Sequence, residues 1–354
     1  MRILVAGATG YIGSRLVPEL LRRGHDVVAV SSSEPEPERF SWGDEVETAR
    51  MDATDPHLVQ PLVESVDAVC YLVHGLSSPR FRDRDRLAAE TVRDAVTAAG
   101  VRRLVYLSGL VPDVPEDELS PHIASRLEVE RVLQQSSAAT LTLRAGIVIG
   151  AGSTSFEILR QTVEGFLVQP VPGWMHSRIQ PIGVADAIRA LADGLESTAE
   201  GVADIGGPDV VTYPELLGLY AELAGLTRVR LPALVAPVPA VAMAAGLLSA
   251  APFWTTAALI QSLQHDMVCR PGQPDPDLVD LTDALPLRDA LEQAMLKDGP
   301  GGRVSGREAS DPAWVRPSLL EKAITTTRLP GSTLVSSAVH VADARLRGLL
   351  GRHT

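Results

Sequence analysis

The feature that most restricts the fold lies at the start of the chain. The apolar run Ile3-Leu4-Val5-Ala6 leads directly into Gly7-Ala8-Thr9-Gly10-Tyr11-Ile12-Gly13, a G-x-x-G-x-x-G run that opens a helical pattern. Strand, glycine turn and helix in that order aim unpaired backbone N–H groups and the positive end of a helix dipole at one point, where an anion is stabilised. Glycines let the backbone approach a pyrophosphate closely, so the arrangement points to a dinucleotide. A tight turn without a ligand is the plainer alternative.

The alternation continues downstream. Apolar runs at 3–6, 26–30, 46–50, 68–73, 103–108 and 140–145 are separated by helical patterns. This is the signature of βαβ units, and it predicts an α/β fold: a Rossmann-type, doubly wound parallel sheet with a smaller C-terminal substrate region. The first helix, 11–23, places Ile12, Leu16 and Leu20 four apart, and Pro18 predicts a kink in it. A crossover helix over 83–99 puts Leu87, Thr91, Ala95 and Ala98 on one face. Further helices are expected at 156–167, 184–195 and 213–224.

On this reading residues 1–150 form the dinucleotide-binding core. Residues 151–297 form a smaller substrate or lid region, with some segments returning to the core sheet. Residues 298–318, rich in Gly, Pro and charge, read as a linker, and 319–354 as a helical tail.

A length of 354 residues suits about two units of roughly 150 each. The net charge of −12 opposes a phosphate backbone, which argues against nucleic acid as the main partner. Two cysteines, Cys70 and Cys269, are too few for a disulfide framework or a structural zinc site. A reducing cytoplasm is the simplest setting, and the N-terminus shows no export signal. The stretch 231–260 carries no charge over thirty positions, the length of a membrane span. Pro232, Pro237, Pro239 and Pro252 interrupt it, leaving a continuous apolar helix only over 241–251. A buried or partner-facing helix is expected there, with peripheral membrane contact as the alternative. Expected partners are a small, lipophilic molecule and at most a second copy of the chain, as monomer or homodimer.

About twenty positions beyond the glycines, dinucleotide folds usually carry an acidic residue for the ribose hydroxyls. Here that place holds Ser31-Ser32-Ser33, with Arg39 the nearest downstream arginine. No carboxylate repels a 2′-phosphate and serine hydroxyls can donate to one, so NADP(H) is favoured over NAD(H). Asp52, followed by Ala53, is placed either to accept from the adenine amino group or to cap the helix that starts near Asp55-Pro56.

Together, residues 7–13, Asp52, Leu107-Ser108-Gly109, Leu143-Arg144-Ala145-Gly146-Ile147-Val148-Ile149-Gly150 and Gln180-Pro181-Ile182-Gly183-Val184-Ala185-Asp186 resemble the extended and atypical short-chain dehydrogenase/reductases. Tyr71-Leu72-Val73-His74-Gly75-Leu76 and Leu119-Ser120-Pro121-His122-Ile123-Ala124-Ser125-Arg126 resemble the bacterial NAD(P)H-binding, NmrA-like branch, similar also to accessory-subunit-like proteins of respiratory complex I. The resemblance covers roughly residues 1–270. It implies a nicotinamide cofactor across the strand carboxyl ends, with substrate above the nicotinamide. The cofactor-binding candidates are Gly7, Thr9, Gly10, Tyr11, Ile12, Gly13, Ser31, Ser32, Asp52, Ala53, Val73, His74, Gly75 and Arg126. The family's usual catalysts are a serine after the fifth strand, which Ser108 matches, and a tyrosine four residues before a lysine. His122 and Arg126 stand at those last two positions.

A spacing of four puts His122 and Arg126 on one helical face, so they share a site. Tyrosine starts near pKa 10 and needs a neighbouring cation, whereas histidine starts near 6.5 and is expected to exchange a proton near neutrality. Arginine keeps its charge, and its forked donors suit ribose hydroxyls or phosphate. Ser108, His122 and Arg126 are therefore the catalytic candidates. The plain alternatives are a helix-start residue after Pro121 and a strand-end hydroxyl. His74 is a candidate nicotinamide-side or substrate contact, and Arg178 is either an anion contact or half of a surface ion pair. The expected function is an NAD(P)-dependent oxidoreductase passing hydride to a small or lipophilic carbonyl or quinone-like substrate. A non-catalytic NAD(P)(H)-sensing regulatory or assembly protein is the alternative. A nucleotide-sugar epimerase or dehydratase is third, because the tyrosine it would use is replaced.

Overall fold

In the computed structural model, residues 1–34, 36–75, 81–233 and 253–295 are described, together with Arg307, Asp311 and Val315. The first half of the chain runs β1 (Arg2–Ala6), α1 (Tyr11–Arg22), β2 (Asp26–Ser31), β3 (Glu47–Arg50), α2 (Pro56–Val63), β4 (Ala68–Tyr71), α3 (Phe81–Ala99), β5 (Arg103–Gly109), α4 (Pro121–Leu133) and β6 (Ala139–Ala145). The second half adds β7 (Val148–Ile149), α5 (Thr154–Gly165), β8 (Val168–Pro172), β9 (Arg178–Ile179), β10 (Ile182–Gly183), α6 (Val184–Glu196), β11 (Gly201–Ile205), β12 (Val211–Thr212), α7 (Tyr213–Leu223), β13 (Val229–Ala233), α8 (Phe253–Ser262) and α9 (Leu287–Met295).

Strands whose side chains are apolar on both faces need cover on both faces, and a parallel sheet with helical crossovers provides it. Seven strands form that sheet in the order β3-β2-β1-β4-β5-β6-β11, and each neighbouring pair is parallel. The fold is Rossmann-like. Chain order reverses between β1 and β4, and a crevice at the carboxyl ends of those two strands is where such sheets bind ligands. One face packs Leu16, Val17 and Leu20 of α1 and Ala187, Leu191 and Leu195 of α6 against Val5, Val105 and Leu143. The other packs Val59 of α2, Ala88 and Val92 of α3 and Leu133 of α4 against Leu4, Val69 and Leu104. A third core joins α5, α7 and α9 beyond the carboxyl edge of the sheet, around Phe156, Leu159, Leu217, Tyr220 and Leu291.

Local chemistry starts the helices. Asp55 accepts from the His57 amide at 2.9 Å and caps α2, with Pro56 in the first position. Ser120 and Pro121 do the same for α4. Ser153 caps α5, which therefore starts two residues before the expected 156 and stops at Gly165. Thr212 and Glu215 form a reciprocal capping box on α7.

Several expectations need correction. Helix α1 runs from Tyr11 to Arg22 as one element with Pro18 inside it. The carbonyl that Pro18 leaves without a helical donor is that of Ser14, and the Trp42 indole supplies the missing N–H at 3.0 Å. Strand β4 ends at Tyr71, which leaves Val73 in the loop that follows. In α3 the buried stripe runs through Asp85, Ala88, Ala89, Val92 and Val96, so Leu87 and Ala98 are exposed while Thr91 and Ala95 are buried. Small alanines let α3 approach its neighbours closely, and the bulkier Leu87 is left to solvent. The expected linker at 298–318 sends Asp311 and Val315 into the interior, at 6% and 0% exposure. The apolar helix expected at 241–251 lies outside the described residues, as does most of the expected tail. Among the described residues no helix is long and apolar enough to cross a membrane.

Candidate functional site

The turn after β1 is built for close approach. Gly7 has φ +90°, a left-handed conformation that glycine adopts without strain, and a side chain there would press on the Leu72 backbone at 3.3 Å. A Cβ on Gly13 would lie 2.3 Å from the Gly7 carbonyl oxygen and 2.6 Å from the Ala8 Cα, so the first turn of α1 closes this tightly only with glycine. Gly10 is the N-cap of α1, and no side chain caps the helix. Its first N–H groups are thus left to a ligand, which fits a pyrophosphate.

A cavity of about 300 Å³ runs from this turn across the carboxyl edge of the sheet. Gly7, Gly10, Tyr11, Ile12 and Gly13 line one end, and Leu72, His74, Ser108, His122 and Arg126 line its middle. Beyond them Ile147, Ile158, Leu159, Tyr213, Leu216, Leu263 and Met267 line a mostly apolar part, with Ser153, Thr154 and Ser155 at the start of α5 and Ser262 as its polar members. The structure thus brings together all three catalytic candidates, five of the glycine-turn residues and His74. Thr9, Ser31, Ser32, Asp52, Ala53, Val73 and Gly75 are not among the lining residues. Thr9 is exposed at the glycine turn, while the others sit at or just beyond the carboxyl ends of β2, β3 and β4, along the same edge of the sheet.

Arg126, on the second turn of α4, reaches over the end of β5 and donates to the Leu107 carbonyl at 2.9 Å. Ser108 ends β5 at 4% exposure, and its hydroxyl forms no hydrogen bond of good geometry among the described residues. It still lies close enough to the Tyr106 phenol to favour ionisation there, but burial outweighs it and pushes that phenol's pKa up. A buried hydroxyl that lines a cavity without such a bond has its hydrogen-bonding capacity to spare.

His122, at 8% exposure, behaves differently from the expectation of a group titrating near neutrality. Burial, then the Arg126 charge, then His74 push its pKa well below 6.5, so its imidazole is neutral. His74 is shifted the same way by the surrounding protein and by Arg126, although its ring is open to the cavity and water there tempers the effect. Tyr213 is pushed up to about 12 by burial and remains a neutral phenol.

Asp85 is a site residue that the sequence reading missed. It accepts from the Gly75 amide at 2.9 Å and from the Ser125 hydroxyl at 3.3 Å, tying the loop after β4 to helix α4. Burial raises its pKa against the pull of the Gly75 amide and Arg126. The signal was present: a carboxylate inside a stripe of alanines and valines needs partners when buried.

At the edge expected to meet adenosine, Asp52 accepts from the Thr54 amide and hydroxyl and pairs with Arg84 at 3.2 Å. Those bonds hold its carboxyl below the usual range. The helix cap proposed for Asp52 belongs to Asp55 instead. Ser31 donates to the Ser33 carbonyl at 3.0 Å, and the register of β2 and β3 sets Arg50 opposite Ser31. Arg178 is half of an ion pair with Asp266 at 2.7 Å, away from the cavity lining. The Gln180-to-Asp186 segment is structural: β10 pairs with β7, and the Asp186 carboxylate accepts from the Leu285 amide at 3.0 Å.

The comparisons agree with this geometry. A family model described as NAD(P)H-binding matches residues 7–188. A 3-diazoavenalumate denitrifying reductase from a Streptomyces species is 29% identical over 269 residues, covering 67% of this chain and 86% of that protein. A 2-alkyl-3-oxoalkanoate reductase from Stenotrophomonas maltophilia is 33% identical over 178 residues, which span 43% of this chain and about half (52%) of that protein. Among solved structures, the Bordetella bronchiseptica enzyme WbmH in complex with NAD+ superposes with a TM-score of 0.62 at 19% identity, over 82% of this chain and 95% of that one. With that match over more than half of its length and a Rossmann sheet carrying the glycine turn at its switch point, the chain belongs to the NAD(P)H-binding family of short-chain dehydrogenase/reductase-like proteins.

Proposed function

We propose that this protein is an NADP(H)-dependent reductase of a small, lipophilic carbonyl or quinone-like compound. The observation that carries the reading is the division of the cavity. Its cofactor end is glycine turn, its middle is Ser108, His122 and Arg126, and the part beyond is mostly apolar, with Arg126 the one charged lining residue among those described. A nucleotide sugar brings a diphosphate that needs several cations or N–H donors. Arg126 is the one cation in the described lining and the part beyond it is mostly apolar, so the epimerase reading falls behind. Two relatives are named reductases, which supports the same direction.

When bound, the reduced nicotinamide supplies a hydride. The α1 N-terminus holds the pyrophosphate, and Arg126 is placed for the nicotinamide ribose or for charge developing on a substrate oxygen. Ser108 would give that oxygen a hydrogen bond from its hydroxyl and neutral His122 one from its ring N–H, polarising the carbonyl without an imidazolium, and the proton that completes the alcohol would come from water. For the cofactor, the absence of a carboxylate at Ser31–Ser33 and the setting of Arg50 beside Ser31 support NADP(H) over NAD(H).

The test is NADPH oxidation against a panel of alkyl-substituted enones, β-keto compounds and quinones. Turnover that improves as the alkyl chain lengthens is expected. Tight NADPH binding with no oxidation across the panel would instead support a binding-only, sensing protein.

A further inference from the structure

We propose that Asp311 is a positioning residue for the dinucleotide site, acting through Arg15 on the first turns of α1. The two side chains form a forked pair, Nη1 to Oδ1 at 3.0 Å and Nη2 to Oδ2 at 2.9 Å, at 0% and 3% side-chain exposure. Arg15 also donates to the Tyr11 carbonyl at 3.2 Å and to the Ala151 carbonyl at 3.1 Å, and its guanidinium stacks 4.0 Å from the Tyr11 ring centroid. Tyr11 lines the cavity, one residue after the N-cap that meets the pyrophosphate.

Asp311 is 296 positions from Arg15 in sequence, so folding spends long-range order to place this carboxylate. The receiving loop is shaped for it. Gly152 has φ +89°, and a Cβ there would lie 2.4 Å from Asp311 Oδ2. The Gly152 amide is held in turn by Glu157 at 3.0 Å, and Arg307 reaches the same Glu157 at 3.4 Å. Arg15, held by the Asp311 carboxylate, therefore ties α1, the cofactor helix, to the loop that leads into α5, a wall of the cavity. A buried fork of this kind fixes orientation more than it adds stability. By linkage, whatever Asp311 contributes to the cofactor site the cofactor returns to the Asp311 segment.

The proposal rests on NAD(P)H binding and not on any reduction, so its test needs no substrate. In the full-length protein, hydrogen exchange of the peptide containing Asp311 is measured with and without NADPH. Alongside it, NADPH affinity is titrated by fluorescence in Asp311→Asn and in the double variant Arg15→Met/Asp311→Leu, whose apolar pair removes the unpaired charge. NADPH is expected to slow exchange at Asp311 more than in α9, and the double variant to fold yet bind NADPH about 10-fold more weakly, within the usual range of coupling between sites. A folded double variant with wild-type affinity overturns the proposal. If neither variant folds, the wild-type exchange decides alone, and no NADPH effect at Asp311 beyond that in α9 overturns it.

Discussion

The Trp42 indole N–H donates to the Ser14 carbonyl at 3.0 Å, the one oxygen in α1 that Pro18 deprives of its helical partner. Trp42 is 2% exposed and stacks on Phe40 at 4.6 Å. A proline inside the cofactor helix is thus tolerated because a side chain from the β2–β3 connection replaces the lost bond. Trp42→Phe keeps most of the ring and strands a buried acceptor, at a cost of about 1–3 kcal/mol. Pro18→Ala restores the helical donor, so the double variant should recover part of that loss. Urea unfolding of the four proteins reads the cycle, and equal losses with and without Pro18 would disprove the compensation.

The glycine turn separates fold from binding. At Gly10 an added Cβ meets only the Gly7 oxygen, at 3.3 Å, whereas at Gly13 it meets backbone at 2.3 Å. Gly10→Asp should therefore keep its thermal midpoint within a few degrees and lose NADPH affinity by about 10-fold or more, because its charge faces the phosphates. Gly13→Ala should lose both stability and binding. Circular dichroism and NADPH fluorescence together distinguish them.

Cofactor choice follows from the edge at β2. Ser31→Asp places a carboxylate where the 2′-phosphate is expected and should move selectivity toward NADH. Paired titrations with NADH and NADPH measure the ratio, and a wild type that already prefers NADH tenfold would contradict the assignment.

His122 gives a pH signature with a definite sign. Its folded pKa lies below the unfolded value near 6.5, so below pH 6.5 the unfolded chain binds a proton that the folded chain refuses. Stability should be flat with respect to this group above pH 7 and fall as pH drops below about 6.5, by up to about 1.4 kcal/mol per pH unit. His122→Gln should have a shallower slope between pH 6.5 and 5 in denaturant melts. Identical slopes would mean that the imidazole is not held neutral. In turnover, His122→Phe should cost about 10²-fold while NADPH binding survives.

The sheet and the glycine turn were legible because their causes are local: alternating apolar runs, a glycine at a left-handed φ, and serine or aspartate just before a helix. Ser108, His122 and Arg126 could be placed together for the same reason, by strand end and helical spacing. The protonation of His122 was not legible, since it depends on burial beneath residues distant in sequence and on the Arg126 charge. Nor were Asp85 and Asp311, each of which acts on segments at least ten positions away. A Gly-, Pro- and charge-rich stretch looks like a linker until the Arg15 guanidinium is seen waiting for its carboxylate. Leu87 misled because a leucine outweighs alanines in any apolar count, although tight helix packing selects the alanines.

Asp85 has one further consequence. Because a single carboxylate holds both the amide beside His74 and the hydroxyl one residue before Arg126, two flanks of the middle of the cavity are braced to each other and not only to the sheet. A ligand that displaces one flank must drag the other, so this part of the cavity resists reshaping as a block. Diversification toward new substrates has more room on the wall where α5 and α7 pack through apolar side chains, none of which bonds to the Asp85 brace.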